Sequence, residues 1–332
     1  MSKGKRNTFY NKQKWEEVNP NNKFLLEDYK SELEVQGKSK GTIYQYASDI
    51  RNFLCWVVDH AKNEDVLEMK RRPFRDFFLT MQRNGSSPAR VNRMQSSIRN
   101  MLAYAYDNED EYDLDRNVMD SIKGLESQPV REIIWLENDE VEYLIDYCIN
   151  VQEDLQKALY ISLAYDSAGR RNELYQVTKD SFLIEDRRYT NTVIGKRSKQ
   201  FPLVYSKHTQ ELAARYLKER GEDDIDSLWI TYDSDGNKQQ ASYGTLLYWV
   251  TTLRQPYADK FGEYKEFNSH SFRHSCLEEL ETGRHRILKE IGRESLDLEM
   301  LKNYAHHNTI STSLLYIKNK STEEFNNMFG IE

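Results

Sequence analysis

FLIEDRRYTNTVIGKRSKQFPLV, residues 182–204, is where the period of the chain changes. On either side of it apolar residues recur every three or four positions, the spacing of helices with one buried face. Inside it, Phe182 to Ile184, Tyr189 to Ile194 and Phe201 to Val204 are short β-prone runs, and the charged turns EDRR and GKRSK separate them. The reading is a small antiparallel β-sheet of about three strands set into an otherwise helical chain. The fold class is mainly α with that minor sheet (α+β).

Working outward, the segment before the sheet reads as two helices, DEVEYLIDYCINV after an N-cap at Asn138, then QKALYISLAYDSA. After the sheet, helices are expected over 206–220 and 242–253, and most of the remaining chain is helical. Further upstream, 23–36 carries Phe24, Leu25, Tyr29 and Leu33 at helical spacing, and Gly37 closes it. A second helix (39–61) has Ile43, Tyr46, Ile50, Phe53, Leu54 and Val57 on one stripe. A third covers RPFRDFFLTMQRN, and a fourth starts at Ser87-Pro88, an N-cap followed by proline in the first turn. These divide the chain into a polar, flexible arm (1–22), a helical domain (23–107), a linker (108–133) that opens on the acid run DNEDEYDLD, and a larger domain (134–332). A chain of 332 residues exceeds what one core usually serves, which agrees with two domains.

Charged residues make up 30% and hydrophobic ones 38%, as expected of a folded, helix-rich protein. No apolar run reaches the roughly 18–20 residues of a membrane span, and the first residues lack the apolar stretch of a secretory signal. Cys55, Cys148 and Cys276 lie far apart and form no CxxC pair, so reduced thiols and a cytoplasmic location are expected. The net charge of −7 argues, taken globally, against a nucleic-acid partner. The distribution argues the other way. From Lys70 to Tyr106 the only acid is Asp76, against Lys70, Arg71, Arg72, Arg75, Arg83, Arg90, Arg93 and Arg99.

Four strings in the second half carry chemistry: DSAGRRNEL with Arg170 and Glu173, VIGKRSKQFPL with Lys196 at a turn, NSHSFRHSC with His270 and Arg273 on a first helical turn, and YAHHNTISTSLLYIKN with His307 and Tyr316. Attack on a phosphodiester fits this set. Two guanidiniums can bind the non-bridging oxygens on which negative charge builds up. A tyrosyl hydroxyl can be the nucleophile if a base or a positive pocket offsets its pKa near 10. A histidine is the usual base, and a lysine can protonate the leaving 5′ oxygen. Each string alone has a plainer account: Arg170 and Arg171 as a surface pair bridged to Glu173, His306-His307 as a metal pair, Tyr316 as core.

The order of these groups (Arg with Glu three on, hairpin Lys, H-x-x-R, a second His, Tyr nine later) resembles the tyrosine recombinase or phage integrase family. GKSKGTIYQYASDIRNFLCWV and SSPARVNRMQSSIRNMLAYAY resemble the two most recognisable helices of that family's core-binding domain. The resemblance spans about residues 23–325. It implies an N-terminal core-binding, SAM-like domain and a tyrosine-recombinase catalytic domain. It also implies roles: Arg170 and Arg273 clamp the scissile phosphate, Lys196 is the general acid, His270 takes the proton of Tyr316, His307 hydrogen-bonds the phosphate, and Tyr316 forms the 3′-phosphotyrosyl link while Glu173 braces the site. No metal, ATP or other cofactor is implied. The partner is double-stranded DNA with inverted half-sites, gripped on opposite faces by the two domains, with a homotetramer on DNA and a monomer or dimer off it. Lys38, Lys40, Arg90, Arg93 and Arg99 are the candidate DNA contacts.

Three departures from the family pattern stand out. Ala168 replaces the usual glycine two residues before the first arginine, and His306 replaces the glycine of Leu-Gly-His. The connection over 281–300 is long. With the acidic net charge, they motivate the competing reading, a recombinase-fold DNA-binding regulator such as a phage repressor that no longer cuts. A type IB topoisomerase, which shares the chemistry without site preference, is a third.

Overall fold

The computed structural model describes residues 8–126, 133–184 and 187–310, and it separates the chain into two compact units, Met1–Glu132 and Ile133–Glu332. Both are mainly helical, as the sequence pattern requires.

In the first unit, the helices are α1 (Lys12–Glu17), α2 (Pro20–Val35), α3 (Lys40–His60), α4 (Arg71–Arg83) and α5 (Pro88–Asp107). Their starts are set by local chemistry: the side chains of Asn19, Ser39 and Ser87 accept from backbone N–H groups that the first turn leaves unpaired. The apolar stripes converge on a core containing Phe53, Phe74, Phe77, Ile98 and Leu102, all fully buried. One polar group is built into that packing. Asp49 of α3 is buried and accepts a fork from Arg93 of α5, at 2.9 and 3.0 Å, and a bond from Ser97.

Two boundary expectations change. The arm expected over 1–22 is folded from Thr8 onward. The side chain of Asn52 accepts from Thr8, Phe9 and Tyr10, Val18 is buried, and α1 packs on α3. Residues 1–7 lie outside the described residues. The expected linker is also largely part of this unit: Tyr112, Met119 and Ile122 are buried in its core, and Asn92 pairs with the backbone of Leu125 through both its amide groups. The acid run misled because its charges face solvent while the apolar residues threaded between and after them face inward.

In the second unit, α6 (Asn138–Asn150) and α7 (Leu155–Ser167) are followed by a short α8 (Arg171–Tyr175), the hairpin β1 (Tyr189–Ile194) with β2 (Gln200–Val204), and α9 (Lys207–Arg220). A second hairpin, β3 (Ile230–Tyr232) with β4 (Lys238–Gln240), precedes α10 (Tyr243–Thr252), α11 (Arg254–Phe261), α12 (Ser269–Glu281), α13 (Ile287–Glu290) and α14 (Leu298–Tyr304). Almost every residue of α7 is buried, and it packs against α6, α9 and α12. A helix apolar on all sides is the centre of its unit.

The three-stranded sheet is corrected to two strands. Val193 faces Phe201 across the ladder, but Phe182 ends a 3-10 turn, Lys179–Phe182, and its ring packs against Tyr205. Side-chain composition fits a strand there, yet Ser181 and Thr178 turn the backbone by bonding to Asn191. The long connection over 281–300 is packed into the unit. His285, Ile287, Leu288 and Leu296 are buried, and Arg286 reaches inward to Asp166 and Glu142.

Candidate active site

Three helix ends deliver the site. Helix α7 stops at Ala168, whose backbone is left-handed (φ 50°), and this turn hands the chain to Arg170 at the start of α8. There Glu173 grips Arg170 twice: one carboxylate oxygen accepts from its backbone N–H at 2.8 Å, the other from its guanidinium at 2.9 Å. The next residue is turned elsewhere, since the Arg171 guanidinium lies over the Tyr243 ring at 4.1 Å. Helix α12 starts at the cap Asn268, and Tyr160 of α7 donates to Ser269 at 2.9 Å, fixing that start. One turn further in, Arg273 is 1% exposed. Its Nη1 donates to the carbonyl of Ala168, and its Nη2 donates at 2.7 Å to both the carbonyl of Ala305 and Nε2 of His307. A buried guanidinium is tolerated only with such partners.

Helix α14 supplies the third end. Its last residue, Tyr304, donates its hydroxyl to the carbonyl of Asp166, which joins the end of α14 to the end of α7, the two segments that lead into the carbonyls holding Arg273. Nε2 of His307 accepts from Arg273, so the imidazole is neutral with its proton on Nδ1. Burial, then Arg273 and Arg170, push the His307 pKa down to about 3, in line with that assignment. His270 keeps an exposed edge at the start of α12. Its pKa falls to about 4 for the same reasons in the same order, so the imidazole is uncharged at neutral pH.

Lys196 comes from the turn of the β1–β2 hairpin, as the GKRSK signal suggested. Gly195 is required at its base: a Cβ there would lie 2.6 Å from the Phe201 ring and 3.1 Å from Glu173 Oε1. The hairpin therefore abuts the Arg170–Glu173 pair. Between them is a cleft of about 340 Å3, lined by Arg170, Lys196, Arg197, Lys199, His306 and His307 among others. No carboxylate lines it among the described residues, so the cleft suits an anion.

Of the expected site residues, Arg170, Lys196 and His307 meet in this cleft, and Arg273 and His270 join through His307 and α12. Tyr316 and the tail after it lie outside the described residues, which end at 310 in this part of the chain. In the first unit Lys38 and Lys40 are exposed at the α2–α3 turn. Arg93 holds Asp49, and Arg99 donates to the carbonyls of Met119 and Ile122. The sequence reading missed the carbonyls of Ala168 and Ala305, the Tyr304 hydroxyl and the Phe201 ring. Backbone acceptors leave no signal in residue identity.

The first unit is helical and the second carries the cationic cleft, and no helix among the described residues is long and apolar enough to cross a membrane. The chain belongs to the phage integrase family: the Phage integrase family model matches residues 134–323, and the Phage integrase, N-terminal SAM-like domain model matches 26–109. Membership supports a site-specific DNA recombination mechanism of the tyrosine-recombinase type in general terms. Tyrosine recombinase XerC of Treponema denticola is 23% identical over 89% of this chain and 93% of its own length. Tyrosine recombinase XerA of Thermococcus onnurineus is 25% identical over 89% and 90%. Among solved structures, the Tn1549 transposon integrase in complex with transposon right end DNA matches with a TM-score of 0.65 at 14% identity, over 92% of this chain and 99% of that one. A lambda integrase dimer bound to a core site matches with 0.63 at 14%, over 88% and 75%.

Proposed function

We propose that this chain is a site-specific DNA recombinase that cuts and rejoins strands through Tyr316. The Tyr316 hydroxyl oxygen attacks the phosphorus, and its proton passes to His270. The bond from phosphorus to the 5′ oxygen breaks, and Lys196 protonates that oxygen. Reversal, with a new 5′ hydroxyl as nucleophile, regenerates the free tyrosine. The phosphotyrosyl bond conserves the energy of the phosphodiester, so no ATP or metal is called for. The observation that carries the reading is Arg273, buried and fixed by two backbone carbonyls beside His307 and behind the Arg170–Glu173 pair. Donors fixed before reaction stabilise developing charge without reorganising.

The partner on this reading is a duplex with inverted half-sites. Lys38, Lys40 and Arg90 contact phosphates, while Arg93 and Arg99 order the helices that present them. Assembly on DNA as a homotetramer is proposed by analogy with the lambda integrase tetramer, which is bound to a Holliday junction.

The test is a nicked suicide duplex carrying the site that the full chain selects from a random-sequence library. A covalent adduct is expected with the wild type and none with Tyr316→Phe, which retains binding. Arg273→Lys is expected to slow adduct formation by about 100- to 1000-fold, the usual cost of one oriented donor. Binding without any adduct from the wild-type chain would leave the regulator reading in place.

A further inference from the structure

His306 occupies a position where the family pattern has glycine, and the backbone shows why: its φ is 53°, in the left-handed region. A side chain there needs compensation, and His306 has an evident contact. Its ring stacks on Phe201 with centroids 3.6 Å apart and planes at 17°. Phe201 belongs to β2, faces Val193 across the hairpin, and its ring edge closes on Gly195, the residue before Lys196. On the other side, His306 is followed by His307, which touches Arg273. A continuous path of contacts thus runs from the buried guanidinium, through His307 and the ring stack, to the base of the lysine turn.

That turn needs holding. Lys196 to Lys199 are exposed, and Arg197 and Ser198 both adopt positive φ, 61° and 57°, unusual for residues with side chains. The bond from the Gly195 N–H to the Lys199 carbonyl closes the turn, and Gln176 ties Ile194 to α8, but neither reaches α14.

We infer that the His306–Phe201 stack is a latch that fixes the Lys196 hairpin against the end of α14, making His306 and Phe201 positioning residues for the lysine. Burial, Arg273, Lys199 and Arg170 lower the His306 pKa to about 4, so the imidazole meets Phe201 as a neutral ring at neutral pH. The inference rests on the reading of Lys196 as the general acid, and two readouts separate the two claims.

The first readout needs no DNA. Trypsin cuts after Lys196, Arg197 and Lys199, so brief digestion of the full chain reports how closely the turn is held. His306→Gly, which suits the left-handed backbone, and Phe201→Leu are each expected to speed cutting there on the order of tenfold if the closed turn resists proteolysis through local stability. His306→Phe keeps a ring and is expected to restore the wild-type digestion rate. Cutting at the wild-type rate in His306→Gly, or equally fast cutting in His306→Phe, overturns the latch. The second readout compares the suicide duplex with its twin carrying sulfur for the bridging 5′ oxygen, whose thiolate leaves without a proton. His306→Gly is expected to slow adduct formation about tenfold on the oxygen duplex and less than about threefold on the sulfur one, as weakened general-acid catalysis would. An equal loss on both overturns the latch as a device for Lys196. If Lys196→Ala itself loses equally on both, the general-acid reading fails, while the digestion still decides whether the hairpin is held by the rings.

Discussion

The wall of the cleft and its hairpin each present a cation to the site, and they do so in opposite ways. Arg273 is buried at the junction of α7, α12 and α14 and bonded to two carbonyls and an imidazole. Lys196 sits on an exposed turn with two left-handed residues. The difference suits the roles proposed for the two cations. A guanidinium that meets charge as it develops is most effective when already oriented. A lysine that delivers a proton must approach and withdraw, and a point charge on a flexible stem suits that task. Rigidity is therefore concentrated where the helix ends meet.

The sharpest way to break the contrast is to undercut the wall from behind. Asp166, fully buried at the end of α7, accepts from Ser206, Thr209 and Arg286, and Arg286 holds its carboxyl below the usual range against the opposing effect of burial. Arg286→Ala strands that charge, with an expected cost of about 3–5 kcal/mol. Hydrogen exchange should show it as lost protection in α7. Gln176→Ala, the corresponding change at the hairpin, removes exposed bonds to Ile194 and is expected to cost about 1 kcal/mol, read at β1 alone. Equal losses would erase the distinction.

Acid provides a milder test. His285 is 1% exposed, donates from Nε2 to the carbonyl of Tyr165, and has its pKa lowered to about 4 by burial. Unfolded, it titrates near 6.5, so between these values the unfolded chain binds the extra proton. Its contribution is complete above about pH 6.5 and lost as pH falls to about 4, of order 3 kcal/mol. His270, His306 and His307 shift in the same direction. Stability of the second unit, followed by urea unfolding at pH 7 and pH 4.5, should fall, and His285→Asn should flatten the slope. An unchanged slope in that variant would place the acid sensitivity elsewhere.

The parts of this site readable from sequence are those in which residue type and local signal coincide. Asn268 before His270 and Arg273 marks a helix start, Gly195-Lys196 marks a hairpin, and Glu173 three beyond Arg170 marks a first turn. The hairpin β3–β4 passed unread although Asp235-Gly236 is a turn signal, because its strands are three residues each and β4 is wholly polar. Phe182 read as strand because apolar identity says nothing about where Ser181 sends its hydroxyl. The long connection gave no sign of its anchor, because Arg286 and Asp166 lie 120 residues apart. Ala168 and His306 counted as departures from a glycine pattern. Both hold the left-handed backbone that glycine ordinarily supplies.

That last point carries the smallest expected effect. At φ 50° and ψ 24°, the Ala168 Cβ crowds the following carbonyl, which costs about 1–2 kcal/mol relative to glycine. Ala168→Gly releases that strain. It also frees the unfolded chain, worth about 0.4–1 kcal/mol in the opposite direction, and removes a buried methyl worth about 0.8 kcal/mol. The three nearly cancel, so urea unfolding should place the variant within about 1 kcal/mol of the parent. Ala168→Val adds branching at a strained backbone without room and should cost more than about 2 kcal/mol. A large loss in Ala168→Gly would mean that the methyl, rather than the turn, holds the carbonyl under Arg273. The wall would then depend on side-chain packing at the very residue where its backbone geometry suffices.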